Sequence, residues 1–241
     1  KLAEEKNEKI KIHIKIDTGM SGIGFQPTDE SVDVIEEISK MNFLDIEGIF
    51  THFSRADELD KTFTHEQFKR YTYVVDKLKQ RNVNIPIKHV SNSAAILDFP
   101  EYNLDMVRAG IILYGYYPSE FVNKEIIDLN PAIKLKTKIT HIKSLEENTG
   151  IGYGHRYITK GKTKIATVPI GYADGYSRLF REKAKALING KLFDVVGNIC
   201  MDQCMINIKD EDVKIGDDVI LISDENKYTS VDYLAEEIGT I

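Results

Sequence analysis

Residues 105–115, DMVRAGIILYG, decide how the first half of this chain folds. Met106, Val107, Ala109, Ile111, Ile112 and Leu113 read as a buried strand, with Arg108 in their midst. The nearest carboxylate in sequence is Asp105. A guanidinium cannot shed its proton, so burying one costs several kcal/mol unless it is paired or fully hydrogen-bonded. Arg108 must therefore face a specific partner.

Working outward, residues 106–114 are the last of four strand candidates, after 9–16 (KIKIHIKI), 44–52 (LDIEGIFTH) and 86–91 (PIKHVS). Amphipathic helices are expected over about 28–41 and 64–81, with a short one from Asn92 to about Leu97. Strands alternating with helices imply a parallel sheet with crossovers. Four such strands are half of an eight-stranded barrel. A linker-like stretch follows at 117–131, and the second half changes character. Strands are expected at 132–145, 163–170, 185–188, 192–197, 204–208 and 218–222, with a hairpin at the NGK of 189–191. The expected fold is α/β plus β: a partial (β/α)8 TIM-type barrel over 1–125, then a mainly antiparallel β domain over 126–241.

The chain has 241 residues, is 42% hydrophobic and carries a net charge of −6. An acid excess argues against nucleic acid as a partner. No run of about 18 apolar residues spans a membrane, and no signal peptide is visible. Cys200 and Cys204 are the only cysteines, which suits a reducing, cytoplasmic setting and makes a poor zinc site, so no metal is expected. Both ends look cut: the chain opens in the helix-like KLAEEKNEK and closes in TSVDYLAEEIGTI, soon after a helix start capped by Thr229 with Asp232 three residues on. It reads as an internal piece of a longer protein, and whether a membrane segment precedes residue 1 is left open.

Polar groups gather at the ends of the four strands: Lys15 to Met20, Thr51-His52-Phe53, Ser91-Asn92-Ser93 and Arg108 to Ile111. In a parallel barrel those C-terminal strand ends form the active face. Ser93 and the amides of Gly110 and Ile111 have the chemistry to bind a phosphate. The second half offers GIGYGHRY (150–157), PIGYADGY (169–176) and VGNICMDQCM (196–205). Glycines close to Tyr153 and Tyr172 let the backbone turn sharply and leave each phenol accessible. A phenol has a free pKa of about 10 and becomes a base near neutrality only if a cation lowers it.

Together these segments resemble the alanine racemase family, enzymes dependent on pyridoxal 5′-phosphate (PLP) that include the serine/alanine racemases. The motifs are KIDTGMSGIGF, THFSRAD, SNSA, VRAGIILYG, GYG, IGYADGY and GNICMDQ, in the family's order and across nearly the whole chain. The resemblance answers the question of Arg108. It implies that Arg108 faces the pyridine nitrogen of PLP, where most PLP enzymes place a carboxylate. An arginine only donates, so the nitrogen stays unprotonated and the ring is a weaker electron sink. Negative charge at Cα is then reprotonated there before it is diverted to transamination.

The resemblance further implies that Tyr153 is the catalytic base on one face of Cα, contributed by the partner subunit of a homodimer with shared active sites. His52 would link that tyrosine to Arg108. Asn92, Ser93, Gly110, Ile111 and Tyr172 would bind the cofactor around its phosphate. Met201 would contact the substrate carboxylate through its backbone N–H, with Asp202 supporting its loop. Lys15 matches a lysine often carbamylated in the family. The activity implied is racemisation of alanine, serine or both by two bases, supplying a D-amino acid for cell-wall precursors.

Three departures stand out. The PLP-bearing lysine belongs upstream of residue 1, so the chain alone is expected to be inactive. A tyrosine linked to the choice between alanine and serine belongs beyond Ile241. Gly22 occupies a position where the family usually has arginine, which puts carboxylate recognition and the carbamate on Lys15 in question. Taken singly, every residue has an ordinary explanation. Arg108 would pair an acid on a neighbouring strand, and His52 would be a hydrogen-bonded core histidine. Tyr153 and Tyr172 would pack in turns, SNSA would cap a helix, Met201 would fill core, and Lys15 would reach solvent. The ordered set overrides these for all but Lys15, where both readings stand. Two rival functions remain: a non-catalytic binding or assembly module on the same fold, and a PLP decarboxylase, which Arg108 at the ring nitrogen disfavours.

Overall fold

In the computed structural model, which describes residues 2–240, a short helix α1 (Leu2–Lys6) leads into strand β1 (Ile10–Lys15). β1 pairs in parallel with β2 (Leu44–Phe50), and β2 pairs in parallel with β3 (Ile87–His89). Two helices make the crossovers. In α2 (Asp29–Ser39), Thr28 caps the start by accepting from Ser31 N–H, acids fill the first turn, and Val32 and Ile35 are buried. In α3 (Thr62–Gln80), residues 64, 67, 71, 74 and 78 are buried, one stripe at helical spacing. Ile14, Ile16, Ile49, Tyr71, Val74 and Leu78 belong to the core these elements share.

The stretch 106–114 is not a strand. Residues 106–110 are irregular and Ile111–Tyr114 form a 3₁₀ turn. Met106, Val107, Ile111 and Leu113, expected in the core, are exposed. The segment does run along β3: Asp105 N–H donates to Lys88 O and Arg108 N–H to Ser91 O. The ladder stops there because the Asp105 carboxylate, not a main-chain carbonyl, takes the Lys88 N–H at 2.8 Å. The parallel sheet thus has three strands, not four. The helix expected from Asn92 is α4 (Ser93–Asp98), with Asn92 as its cap.

Contacts divide the chain into two compact units, Lys1–Asn130 and Pro131–Ile241. The second holds one seven-stranded antiparallel sheet. Its strands are β4 (Leu135–Lys138), β5 (His141–Leu145), β8 (Thr163–Val168), β9 (Lys185–Ile188), β10 (Lys191–Val196), β11 (Cys204–Lys209) and β12 (Asp218–Ile222). Their spatial order is β4-β12-β9-β10-β11-β8-β5. A small separate pair joins β6 (Gly150–Ile151) and β7 (Tyr157–Ile158). The single strand expected over 132–145 is two strands on opposite edges of the sheet. Only Ile139 and Thr140 separate them, a reach of about 3.5 Å per residue. The sheet therefore curls until its edges nearly meet. The hairpin at 189–191 forms: Asn189 and Gly190 both take positive φ, 50° and 79°, as a two-residue turn of matching twist requires. The last helix, α5 (Val231–Ile238), is capped by Ser230 rather than Thr229. The Thr229 hydroxyl is already given to Ser223 O, 2.8 Å away in the preceding turn. No helix of the described residues is long and apolar enough to cross a membrane.

Candidate active site

In the first unit the C-terminal ends of the parallel strands bring Lys15, His52, Ser93 and Arg108 to one end of the sheet. Arg108 meets no carboxylate among the described residues. Its Nη2 donates to Thr51 O at 2.8 Å, to Val90 O at 3.3 Å and to His52 Nδ1 at 3.2 Å. Its Nη1 donates to His89 Nδ1 at 2.5 Å and to His89 O at 3.3 Å. Its Nε–H has no hydrogen-bond partner among the described residues. The guanidinium also lies 5.4 Å from the centre of the Phe50 ring. Because a guanidinium only donates, His52 and His89 accept through Nδ1 and carry their hydrogens on Nε2.

Both imidazoles are held neutral. Burial lowers the His52 pKa, and the charges of Arg108 and Lys15 lower it further. Burial, then Arg108, then His13 bring His89 down to about 4. A histidine that protonates more readily when unfolded favours the native state above its unfolded value and loses that contribution as pH falls. Unfolding by denaturant should therefore become easier as pH drops from about 6.5 towards about 4. A midpoint that stays constant across that window would contradict the assignment.

His52 is placed by a residue the sequence reading passed over. Gln67, fully buried on α3, donates to His52 O and to Thr18 Oγ1, both at 3.1 Å, and accepts from Ser54 N–H at 2.9 Å. One amide thus ties together the chain after β1 and after β2. A glutamine in the buried stripe of an amphipathic helix was the available signal. His89 and His13 were also missed; their signal was histidine inside otherwise apolar strand patterns. Ser93 Oγ accepts from Gly110 N–H at 2.9 Å, so its own O–H is left to donate. Ile111 follows directly. Lys15 closes β1, and Gly22 is exposed; beyond its two chain neighbours, no described residue comes within 4 Å of where a Cβ would stand. Asp17 is held ionised chiefly by the N–H of Ser21, and its carboxylate ties down the turn that Gly22 follows.

The second unit presents its own cluster. Tyr153 opens a 3₁₀ turn between Gly152 (φ 66°) and Gly154 (φ 71°), and its side chain is exposed. Asn198 Nδ2 donates to Tyr153 O at 2.6 Å and anchors that turn. Tyr172 opens a second turn, closed by the Asp174 carboxylate accepting from Gly171 N–H at 2.9 Å. That turn is laced to the Met201 loop: Tyr172 N–H donates to Cys200 O and Ala173 N–H to Met201 O. Met201 is exposed, not core. Tyr153, Met201 and Asp202 all line one cavity of about 650 Å³. A Cβ at Gly171 would lie 2.4 Å from Cys200 O and Met201 O, backbone atoms that cannot yield without moving the loop. Gly171→Ala should therefore destabilise by about 1–3 kcal/mol, measured by chemical denaturation, and displace Tyr172. An unchanged midpoint would show that the loop is free to shift. Cys200 and Cys204 are both free and buried, and burial pushes the Cys204 thiol up to about 12. Among the described residues no cluster of His, Cys, Asp and Glu could hold a metal.

Two family descriptions match the sequence: "Alanine racemase, N-terminal domain" over residues 1–118 and "Alanine racemase, C-terminal domain" over 132–241. The alanine racemase of Clostridium perfringens is 52% identical over 237 residues, 97% of this chain and 61% of that one. That of Methanococcus maripaludis is 49% identical over 243 residues, 100% of this chain and 65% of that one. Among solved structures, the alanine racemase of Clostridium difficile 630 superposes with a TM-score of 0.92 at 53% identity, covering 100% of this chain and 62% of that one. That of Bacillus anthracis with bound L-Ala-P gives 0.87 at 36% identity, covering 97% and 60%. The chain thus spans less than two thirds of the length of these relatives. With both descriptions matched in order and about half the residues shared with the Clostridium perfringens and Methanococcus maripaludis enzymes, the chain belongs to the alanine racemase family.

Proposed function

We propose that the protein containing this chain is a PLP-dependent alanine racemase, interconverting L- and D-alanine as a homodimer with shared active sites. The observation that carries this reading is Arg108: a half-buried guanidinium fixed by carbonyls and two imidazole acceptors, with no acid beside it and its Nε–H unspent among the described residues. That donor set fits PLP. Arg108 would donate to the ring nitrogen. Ser93 O–H, the Ile111 amide and Tyr172 would hold the phosphate, joined by the Gly110 N–H once it turns from Ser93 Oγ, with Asn92 shaping the Ser93 turn. The charges of Lys15 and Arg108 favour an anionic ligand. When bound, the cofactor supplies the electron sink that makes a Cα proton removable.

The chain's own residues then move and place protons. Tyr153, from the partner subunit, takes the proton on one face of Cα, and a lysine outside this chain serves the other. His52, with Nδ1 occupied by Arg108, has only Nε2–H to offer. It would donate to the Tyr153 oxygen and make the phenol easier to ionise. Met201 N–H would hold the substrate carboxylate, with Asp202 supporting its loop. The relatives' names favour alanine over serine, and the product would feed cell-wall precursors. Two buried free thiols suit a cytoplasmic setting.

The test is purified full-length protein loaded with PLP and given L-alanine or L-serine. Formation of D-alanine, faster than D-serine, supports the reading. Stoichiometric PLP binding without racemisation would favour the non-catalytic module instead.

A further inference from the structure

Behind Arg108 lies a run of hydrogen bonds that the proposed proton transfers do not use. His89 Nδ1 takes the Arg108 Nη1–H at 2.5 Å. His89 Nε2 stands 2.8 Å from His13 Nδ1. His13 Nε2 stands 3.3 Å from Glu47 Oε2. Since the guanidinium only donates, His89 Nδ1 accepts and its Nε2–H must donate to His13 Nδ1. His13 then carries its hydrogen on Nε2 and donates to Glu47. Each link fixes the tautomer of the next, and every donor points away from Arg108 towards the carboxylate.

The strands are shaped to make this run. Along β1 and β2 the register passes from Ile12 opposite Ile46 to His13 opposite Gly48, leaving Glu47 as the extra residue of a bulge. A bulge re-aims a side chain that regular alternation would send elsewhere; here it gives the Glu47 carboxylate to His13. Gly48 leaves room for the ring, since a Cβ there would lie 2.4 Å from His13 Nδ1. Phe50 stacks on His89 at 4.9 Å and 6°, fixing its plane. Lys11 Nζ binds the other Glu47 oxygen at 2.5 Å and, with His13, keeps the carboxylate ionised.

We propose that Glu47, His13 and His89 are positioning residues for the reaction, forming a one-way hydrogen-bond chain that fixes the Arg108 guanidinium and answers its charge with a carboxylate two imidazoles away. This rests on the racemase reading of the site. The chain has one vulnerable state. A proton added at the histidine pair makes His13 Nδ1–H donate to His89 Nε2. His89 Nδ1–H then faces Arg108 N–H, donor against donor, and the guanidinium loses its hold. The other charged or titratable groups facing the run are Lys11 on Glu47, Lys15 and His52 at the strand ends, Asp105 and Lys88 beside β3, and Tyr71 from α3. Within the run itself, Glu47 contacts the pair and carries the charge that favours the added proton.

The test uses the full-length holoenzyme and three variants. Glu47→Gln keeps an acceptor for His13 but not the charge, so the acid limb of the kcat/KM profile should move to lower pH. His13→Leu cuts the chain, and kcat should fall about 10- to 100-fold with a smaller change in KM, as expected when a catalytic group is misplaced. His13→Asn, which restores one acceptor and one donor, should recover part of that loss. Imidazole ¹⁵N spectra, recorded without substrate, should show His89 as the Nε2–H tautomer in the wild type and a loss of that single state in His13→Leu. An Nδ1–H tautomer at His89, or a Glu47→Gln profile that superimposes on the wild type, would overturn the proposal. Absence of racemase activity in the wild type would sink the function while the spectra still decide whether the chain exists.

Discussion

Tyr153→Phe in the full-length enzyme is expected to abolish proton exchange at Cα of L-alanine while exchange from D-alanine partly survives. The proposed reaction uses a base on each face of Cα, and the phenolate serves one only, that of the L-enantiomer. Loss of a positioned base typically costs about 10²–10⁴-fold, so racemisation in both directions should fall within that range. The backbone should not suffer, because Tyr153 is exposed and its turn is held by Asn198 through the main-chain carbonyl. Solvent deuterium incorporation into each enantiomer is the measurement. Equal losses from L and D would mean that Tyr153 is not a one-sided base. Sharing across a dimer is tested by pairing this variant with a subunit that lacks the cofactor lysine. One site then keeps both bases and about half the activity per dimer should remain; complete inactivity would mean that each site is built within one chain.

Arg108→Glu is expected to be nearly as damaging, for two separable reasons. The guanidinium occupies a place lined by Thr51 O, His89 O, Val90 O and two imidazole acceptors. A carboxylate there confronts acceptors with an acceptor, and groups left unpaired cost about 1–3 kcal/mol each when buried. Chemical denaturation should register a loss of at least that size. In the loaded enzyme the carboxylate would also hold a proton on the ring nitrogen, giving a stronger electron sink than arginine allows. Racemisation should fall by about 10²-fold or more, the scale of removing one oriented electrostatic group. Pyruvate should appear as the amino group is diverted to the cofactor. Arg108→Lys, which keeps the charge but not the fork, should lose activity without that diversion. Normal racemisation by Arg108→Glu, or pyruvate from Arg108→Lys in equal amount, would contradict the role given to Arg108.

Much of the architecture was legible because hydrophobic period and turn chemistry agree with the fold. KIKIHIKI reads as a strand and forms one, and Asn189-Gly190 marks its hairpin by the positive φ that both residues must take. The stretch holding Arg108 misled because composition reports apolarity and not what covers it. Met106, Val107, Ile111 and Leu113 are as apolar as a core strand, yet Asp105 ends the ladder by taking a backbone donor. The run 132–145 misled for another reason: its two halves pair with different edges of a curled sheet, a tertiary fact with no local signature. At the site, single motifs were weak and their order was strong. Arg108 and His52, singled out in the sequence, do meet in the structure. Gln67, His89, His13 and Glu47 were not singled out, since a polar residue within an apolar pattern reads as an exposed position until its partners are known.

The most direct measurement is the protonation state of the ring nitrogen itself. Full-length enzyme loaded with PLP carrying ¹⁵N in the ring would report it by chemical shift. An unprotonated nitrogen, accepting from Arg108 and unchanged between neutral and mildly acidic solution, is the result expected. A protonated ring nitrogen in the wild-type enzyme would contradict the account.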